Sequence, residues 1–569
     1  MRIQDDPVIR VAIVGSGPSA IYALAGLITS PFPLRITVFE RNETAGVGTP
    51  YDPKTNSPEM LANIASIEIP EIDRSLLAFL EGCSGDKLRS LGVDPSRLGE
   101  REFYPRIALG AYFSDRLAHL VAKAPAHGHV VEILACHEVV DVVAGSVVDI
   151  AFTDTTERLQ TRSFDRVLMA TGHSIEEGGR EGCPSAYSPD HRDGRAYGIL
   201  GSSLSAIDLA VAIASDRGAF TETGYGLGAG AEPFSITLLS RGGRLPEADF
   251  FCPLPAEPCP EFTEEQVKST VARAAPGSRL DVVFALFVSA LASADPDYAS
   301  HIRLAELTAD TFAEAYFADR DKADPFAWAK ANLEEAQRNH RDRHTVPWRY
   351  TLLRCHEAFG SCVADFAADE VARFNKGMKR VFADNYAAVP HLSIERLLAL
   401  HQAGVLAIVK LSSDYRMSMA GTSCRIDTAG RIMQFDRMYD ARGQAASTDE
   451  DLPFPSLRLL LAANRMAEGR EPNSVRVEDD YRVSSGINRI SNIWCLSIPF
   501  LLKDKPFVQG LTSCWDMGQA AAKGVIDSLR EQSAALSLRD LRRQVLETEP
   551  IFLEQSVVLI PNGETGPVA

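Results

Sequence analysis

The stretch that decides the fold is IRVAIVGSGPSAIYALAGLI, residues 9–28, an apolar run that breaks at glycines and continues with small and aliphatic residues. The pattern predicts a buried strand, a tight turn and a helix that begins directly after the turn. In Gly15-x-Gly17-x-x-Ala20, the first glycine allows the turn and the second lets the backbone approach a pyrophosphate, while the third, small residue lets the helix pack on the strand. The unpaired N–H groups at the start of that helix favour a bound phosphate.

An acidic residue follows this turn. Residues 35–40, RITVFE, predict a second strand that ends in Glu40. A carboxylate at this position accepts hydrogen bonds from ribose hydroxyls and repels a 2′-phosphate, so the turn suits the adenosine of FAD or NAD. A structural turn without a ligand is the alternative, but the order strand, turn, helix, strand and acid favours a dinucleotide.

A second, altered copy of the turn lies in YGILGSSLSAIDLA, residues 197–210, with Ser203 in place of the middle glycine. The strand after it ends in Ser240-Arg241 rather than in an acid. Arginine binds a 2′-phosphate through paired hydrogen bonds, so this copy predicts NADPH, with NADH less favoured. A solvated arginine is the alternative, because the glycine-rich stretch at 218–232 lengthens the usual spacing.

Two such units predict an α/β fold with two Rossmann-like dinucleotide-binding domains, one for FAD and one for NAD(P)H, and a mainly helical insertion. A polar stretch at 174–194 predicts a linker, and 218–232 predicts a surface insertion without regular structure. The predicted division is a first part of the FAD domain at 1–190, a first part of the NADPH domain at 195–262, the helical insertion at 263–390, a second NADPH part at 391–425, a second FAD part at 426–550 and a tail at 551–569.

Composition limits the possible partners. The chain has 569 residues, of which 45% are hydrophobic and 24% charged, and its formal net charge is −18. This charge argues against nucleic acid or an anionic membrane as the main partner. No secretory signal or membrane span is apparent, so we expect a cytoplasmic protein. The ten cysteines contain no C-x-x-C pair, so we expect reduced thiols and no metal site.

Further stretches extend the pattern over most of the chain. They are AIVGSGPSAIYAL (12–24), AGVGTPYDPKTNSPEMLANI (45–64), FYPRIALGAYFSDRL (103–117), VLMATGHS (167–174), ITLLSRGGRLP (236–246), IWCLSIPFLL (493–502) and GLTSCWDMGQAAAKGVI (510–526). Together they resemble the bacterial FAD/NAD(P)-binding proteins related to flavin-dependent N-hydroxylating monooxygenases. That family includes enzymes that oxidise aspartate to nitrosuccinate.

The resemblance implies the site residues. Those expected to bind FAD are Gly15, Gly17, Pro18, Ser19, Ala20, Glu40, Arg41, Gly48, Thr49, Leu61, Asn63, Thr171, Gly172, Gln509, Gly510 and Thr512. Those expected to bind NADPH are Gly201, Ser202, Ser203, Ser205, Ser240 and Arg241. Asn63 and Gln509 are the candidate catalytic residues, as hydrogen-bond partners of the oxygenated flavin.

Substrate contacts are less constrained by the pattern. Arg354, His391 and Arg396 could each hold a substrate carboxylate, and so could Arg442, which departs from the Ala-Thr-Gly that related flavoproteins often repeat. A structural ion pair or a solvated position is the alternative for each. His173, directly after Ala-Thr-Gly, suggests a base, with a structural place near the pyrophosphate as the alternative.

The resemblance also implies the chemistry. It predicts an FAD-dependent, NADPH-consuming monooxygenase that uses O2 to N-hydroxylate a small amine or amino acid, aspartate among them, through a flavin C4a-hydroperoxide. An NADPH-dependent flavoprotein reductase is the alternative, with an acceptor other than a disulfide because a C-x-x-C dithiol is missing. A flavin-binding sensor without turnover is a third possibility.

Overall fold

The computed structural model describes most of the chain, namely residues 8–172, 182–187, 194–443, 446–484 and 490–548, with side chains as far as residue 534. His173, most of the predicted linker and the predicted tail lie outside these ranges. Within them, none of the helices combines the length and the apolar character that a membrane crossing requires.

The first unit begins with the strand and helix on either side of Gly15. Its elements are β1 (Ile9–Val14), α1 (Pro18–Leu27), β2 (Leu34–Phe39), α2 (Leu76–Glu81), α3 (Gly85–Ser90), α4 (Arg106–Lys123), β3 (Val130–Leu134), β4 (Glu138–Val143), β5 (Val148–Thr153), β6 (Leu159–Phe164) and β7 (Arg166–Met169). Val11, Ala12 and Ile13 have no exposed surface. From Val11 to Val14 the strand is an uninterrupted apolar run, because both faces of a covered parallel sheet are buried.

The second unit repeats this plan. Its first elements are β8 (Ala196–Leu200), α5 (Leu204–Ser215), β9 (Gly218–Thr221), β10 (Gly224–Leu227) and β11 (Ser235–Ser240). The expectation of irregular structure at 218–232 is wrong, because β9 and β10 pair as an antiparallel hairpin. The rings of Phe220 and Tyr225 lie 5.2 Å apart across it, so aromatic packing holds a segment whose glycines hide the strand pattern.

A helical unit follows. Its helices are α6 (Glu264–Arg273), α7 (Arg279–Ala294), α8 (Pro296–His301), α9 (Phe312–Lys322), α10 (Pro325–Asp342), α11 (Pro347–Gly360), α12 (Ala368–Lys376), α13 (Met378–Tyr386) and α14 (His391–Gln402). Phe287, Phe359 and Phe382 are fully buried in its core. Phe507, from much later in the chain, packs into the same cluster, with its ring 5.6 Å from that of Phe382.

The chain then completes both sheets. The remaining elements are β12 (Leu406–Lys410), β13 (Arg416–Ala420), β14 (Ser423–Thr428), β15 (Arg431–Phe435), β16 (Arg437–Asp440), α15 (Pro455–Ala467), β17 (Ile493–Cys495) and α16 (Gly510–Thr548). The first sheet has the strand order β17-β7-β1-β2-β3 and the second β12-β11-β8-β16. All pairs within both sheets are parallel, so the predicted fold class is confirmed.

One predicted boundary needs correction. The division at 425/426 assigned β16 to the FAD domain, but β16 pairs with β8 in the second sheet, Asp440 opposite Leu200. The chain therefore returns to the first sheet only after Asp440. The sequence did not reveal this boundary, because β16 is short and directly follows the two antiparallel strands β14 and β15.

The last long helix packs closely on the first. A Cβ added at Gly518 of α16 would lie 2.7 Å from the backbone nitrogen of Ala23 in α1, and one at Gly26 of α1 would lie 2.6 Å from the Cβ of Ala522. Glycine at these positions lets the two helix backbones approach each other. The C-terminal part of the chain thus supports the helix that follows the first glycine turn.

Candidate functional site

One large cavity lies where the two sheets and the helical unit meet. Its volume is about 2390 Å³, and the ends of β1, β7, β8 and β11 all reach it. Ligands of open α/β sheets bind outside the carboxyl ends of the strands. The volume exceeds the ~300–1,000 Å³ of a pocket for one small ligand, so the cavity has room for more than one bound molecule.

The first glycine turn fits a dinucleotide phosphate. Gly15 has φ of +101°, and a Cβ there would lie 2.3 Å from the carbonyl oxygen of Ala170. Gly17 is the N-cap residue of α1, and no side chain caps the helix there. The N–H groups of the first turn are therefore available to a ligand. Gly15, Gly17 and Ser19 line the cavity, and this is the cradle that a pyrophosphate requires. Ala20 lies buried beneath the turn.

Glu40 stands at the end of β2, as predicted. Its carboxylate accepts a hydrogen bond from Ser16 Oγ at 2.6 Å and another from the backbone N–H of Asn42 at 2.8 Å. Each carboxylate oxygen can accept a second hydrogen bond, and Glu40 and the exposed Arg41 both line the cavity. Glu40 can therefore still receive ribose hydroxyls.

Residues from distant segments of the chain line the same cavity. They are Gly48, Thr49, Asn63, Thr171, Gly172, Gln509, Gly510 and Thr512. Thr171 shares a hydrogen bond with Ser497, Oγ1 to Oγ at 2.9 Å, which ties the end of β7 to the end of β17. The side-chain amide of Gln509 donates to the carbonyl oxygen of Pro506 at 3.4 Å. Leu61 is not among the lining residues and instead forms a backbone bridge to Pro105.

The second turn has the same geometry as the first. Gly201 has φ of +125°, and a Cβ there would lie 2.6 Å from the carbonyl oxygen of Ala441. Ser203 caps α5 without a side-chain hydrogen bond. Ser202 Oγ lies 3.1 Å from Ser240 Oγ, and Ser205 Oγ lies 3.1 Å from the hydroxyl of Tyr187.

The two arginines after β11 differ in their contacts. Arg244 forms an ion pair with Asp321, and its guanidinium lies 3.9 Å from the centre of the Phe317 ring. Arg241 is exposed and lines the cavity next to Ser240. Among the described residues it has no ion-pair partner, so Arg241 is the cation available to a phosphate.

The four candidate substrate residues are not brought together. Arg354 lines the cavity with its guanidinium 4.5 Å from the Tyr350 ring centre. Arg442 also lines it but donates to both carboxylate oxygens of Asp440, at 3.0 Å each.

The other two candidates lie elsewhere. His391 Nε2 is 2.8 Å from the carbonyl oxygen of Asp249, and Arg396 Nη1 donates to the carbonyl oxygen of Glu59 at 2.7 Å. Neither is among the residues that line the large cavity.

A buried ion pair beneath the cavity was not predicted. Arg106 of α4 meets Asp208 of α5, with Nη2 2.8 Å from Oδ2. Arg106 lies in the quoted FYPRIALGAYFSDRL stretch and lines the cavity. Its position in that motif could have marked Arg106 as a candidate from the sequence. Its partner, 102 residues away, could not have been found in this way.

A smaller cavity, here called the side chamber, adjoins the large one. It has a volume of about 70 Å³, and its polar lining residues are Asn63, Glu68, Arg101, Asp249, His340 and Asn385. Asn63 and Glu68 also line the large cavity. Burial, reinforced by the charge of Asp249, raises the pKa of Glu68 to about 7. Only Asn63 among these residues was singled out from the sequence, because the others come from separate segments without a shared motif.

The fold and the first turn define the class of protein. Residues 12–174 match the family described as FAD-NAD(P)-binding, and they contain the Gly15 turn, Glu40 and β7, which Thr171 follows. The match confirms FAD and NAD(P) as the class of cofactor.

A relative and a second domain narrow this class. Residues 263–386, which span α6 to α13, match the YdhS-like middle domain. The uncharacterized protein YdhS of Escherichia coli (strain K12) is 40% identical over 531 residues, which cover 91% of this chain and 97% of YdhS. The chain belongs to the YdhS family.

Solved structures with a similar layout are far more distant. The ornithine N-hydroxylase of Kutzneria sp. 744 is 15% identical with a TM-score of 0.48, over 92% of this chain and 100% of that one. The ornithine hydroxylase PvdA of Pseudomonas aeruginosa is 11% identical with a TM-score of 0.49, over the same shares of the two chains. At this distance, the activity of the present chain has to be argued from its own site.

Proposed function

We propose that this protein is an FAD-dependent monooxygenase that consumes NADPH and N-hydroxylates a small amine or amino acid, with aspartate among the candidates. The observation that carries the proposal is that both glycine turns, at Gly15 and Gly201, open into one cavity. Two dinucleotides held there would share a single cavity, as hydride transfer between them requires.

The chain's own residues would hold the two cofactors. The uncapped start of α1 binds the FAD pyrophosphate, and Glu40 accepts its ribose hydroxyls. The start of α5 binds the pyrophosphate of NADPH, while Ser240 and Arg241 bind its 2′-phosphate. When bound, the flavin supplies hydride acceptance from NADPH and reaction with O2.

Other residues would shape the reaction space. The N-terminus of α16, at Gly510, places partial positive charge at the cavity wall and favours negative charge beside it. The side-chain amides of Asn63 and Gln509 line the same cavity. Each can donate a hydrogen bond through its NH2 group to an oxygen atom of a bound molecule, and each can hold an O–H proton by accepting a hydrogen bond at its carbonyl oxygen. Residues of the helical unit, among them Arg354 and Tyr386, form part of the cavity wall and would limit the access of water to bound cofactors.

A coupling measurement tests the proposal. FAD-loaded protein is mixed with NADPH and O2 and screened against amino acids and simple amines, with NADPH oxidation, peroxide release and product mass followed together. We expect one compound to stimulate NADPH oxidation and to gain one oxygen atom on nitrogen. If every compound leaves peroxide release equal to NADPH oxidation, and a quinone is reduced instead, the protein is a reductase and the proposal fails.

A further inference from the structure

The side chamber lies at the junction of all three units. Glu68 and Arg101 come from the first unit, Asp249 from the second, and His340 and Asn385 from α10 and α13 of the helical unit. Because Asn63 lines both cavities, a molecule in the chamber would lie next to a residue expected at the flavin.

The most unusual group in the chamber is the side-chain amide of Asn385. It is only 4% exposed, and neither Oδ1 nor Nδ2 has a hydrogen-bond partner among the described residues. By contrast, the equally buried Asn332 accepts a hydrogen bond from the backbone N–H of Ala248 at 2.8 Å. A buried amide without partners is destabilising, so one that lines a cavity points to a ligand that supplies them.

The charges in the chamber come in both signs. Glu68 and Asp249 are carboxylates, and the mutual repulsion that contributes to the raised pKa of Glu68 would be relieved by a bound cation. Arg101, whose charge acts on Glu68 in the opposite sense to that of Asp249, donates both Nη groups to the carbonyl oxygen of Cys252 at 3.1 Å and keeps further donors. The remaining titratable groups are His340, whose Nε2 is 3.3 Å from Asp249 Oδ2, and Cys252 and Tyr386 on the lining.

The size of the chamber limits the ligand. A volume of about 70 Å³ is that of about five to seven water-sized atoms, at roughly 10–15 Å³ each. The head group of an α-amino acid, with five non-hydrogen atoms (the nitrogen, Cα and the three atoms of the carboxylate), fits within this volume. Its two opposite charges also match the two kinds of charge on the walls.

We propose that the side chamber binds the head group of a small α-amino acid. Glu68 pairs with its ammonium group, and Asn385 and Arg101 receive its carboxylate. The inference rests on the proposed function in that it names the substrate class of the same site. The amine is thereby held beside Asn63, at the opening into the large cavity.

A binding experiment without turnover tests the chamber. FAD-loaded protein without NADPH is titrated calorimetrically with each of the common amino acids and, for the tightest binder, with its analogue that lacks the amino group. We expect saturable binding of at least one amino acid and a loss of ten-fold or more for the analogue. Glu68→Gln and Asn385→Leu should each weaken binding ten-fold or more, whereas Glu71→Gln, at an exposed position, should not.

The outcomes separate this inference from the proposed function. If no amino acid binds, or if binding survives in both chamber variants, the chamber assignment is overturned. Should Asn385→Leu fail to fold, Glu68→Gln decides, since it preserves side-chain shape. An amino acid that binds but is never hydroxylated refutes the monooxygenase alone. A hydroxylated amino acid whose KM is unchanged in both variants refutes the chamber alone.

Discussion

Arg106 and Asp208 form an ion pair in which both side chains are nearly buried, with 10% and 9% of their surfaces exposed. The pair joins α4 of the first unit to α5, the helix that starts at the second glycine turn. Arg106 Nε also donates to the same carboxylate oxygen at 2.9 Å. The first and second units are thus fixed to each other directly below the cavity that both line.

Removing one member of this pair should be costly. Asp208→Ala leaves the guanidinium of Arg106 buried without a counter-charge, so we expect a loss of about 3–5 kcal/mol in unfolding free energy. The double variant Arg106→Met/Asp208→Leu should lose much less than the sum of the single variants. Urea unfolding followed by tryptophan fluorescence measures this, and additive losses would argue against a coupled pair.

The two glycines of the first turn should respond differently to alanine. Gly15→Ala places a Cβ 2.3 Å from the Ala170 carbonyl oxygen, whereas the nearest atom to a Cβ at Gly17 is the Cα of Gly48 at 3.5 Å. We therefore expect Gly15→Ala to lower the melting temperature and Gly17→Ala to keep the fold. Gly17→Ala should nevertheless lower the flavin content, measured as the absorbance ratio of FAD to protein, because the methyl group enters the phosphate site. An equal loss of stability in both variants would contradict this.

Arg241 should determine the choice of nicotinamide cofactor. Arg241→Ala removes charge-assisted hydrogen bonds, so NADPH binding should weaken by ~1.5–3 kcal/mol, while NADH binding should hardly change. The KM values for both cofactors measure the effect. Arg89→Ala is the matched control, since Arg89 pairs with Asp86 on the surface. A parallel rise of both KM values would show that Arg241 does not contact the 2′-phosphate.

Asn385 should reduce stability in the absence of ligand. Asn385→Leu removes a buried amide without partners and should raise the unfolding free energy by ~1–3 kcal/mol. Asn332→Leu is the control with the opposite sign, because it leaves the N–H of Ala248 without its acceptor. Thermal unfolding of both variants measures the contrast. A fall in stability for Asn385→Leu would mean that the amide already has partners.

Glu68 should make stability depend on pH. Its pKa of about 7 lies above the ordinary value of 4.5, so folding favours the protonated form. The stability that Glu68 contributes is complete below about pH 4.5 and is lost as the pH rises through about 7. Glu68→Gln, which cannot ionise, should therefore raise the melting temperature more at about pH 8 than near pH 5. A gain that is the same at both values would contradict the raised pKa.

The sequence was sufficient where the signal was local. The Gly15 turn and the acid at Glu40 fall within one strand-helix-strand unit. Their relative positions are therefore determined by their spacing along the chain. The side chamber could not be predicted in this way, because Glu68, Asp249 and Asn385 come from three units and no motif connects them. Likewise, the partner of Arg106 depends on how two helices pack.

The prediction of secondary structure at 218–232 failed for a related reason. The hairpin of β9 and β10 is glycine-rich, and its pairing depends on Phe220 and Tyr225 meeting across the strands. Tyr225 is held further by its hydroxyl, which donates to the carbonyl oxygen of Ala214 in α5 at 2.8 Å. Contacts of this kind override the local secondary-structure preference of the residues, and hydrophobic periodicity in the sequence does not reveal them.

The pairing of β17 with β7 and the packing of α16 on α1 have a consequence for biosynthesis. The second sheet holds all its strands once Asp440 has been translated, but the first must wait for Ile493–Cys495, although its opening strand emerges first. A nascent chain therefore has most of its length synthesised before the sheet of its first unit can be completed. We expect a nascent chain that ends before Gly510 not to bind FAD. The flavin should enter only when translation is nearly complete.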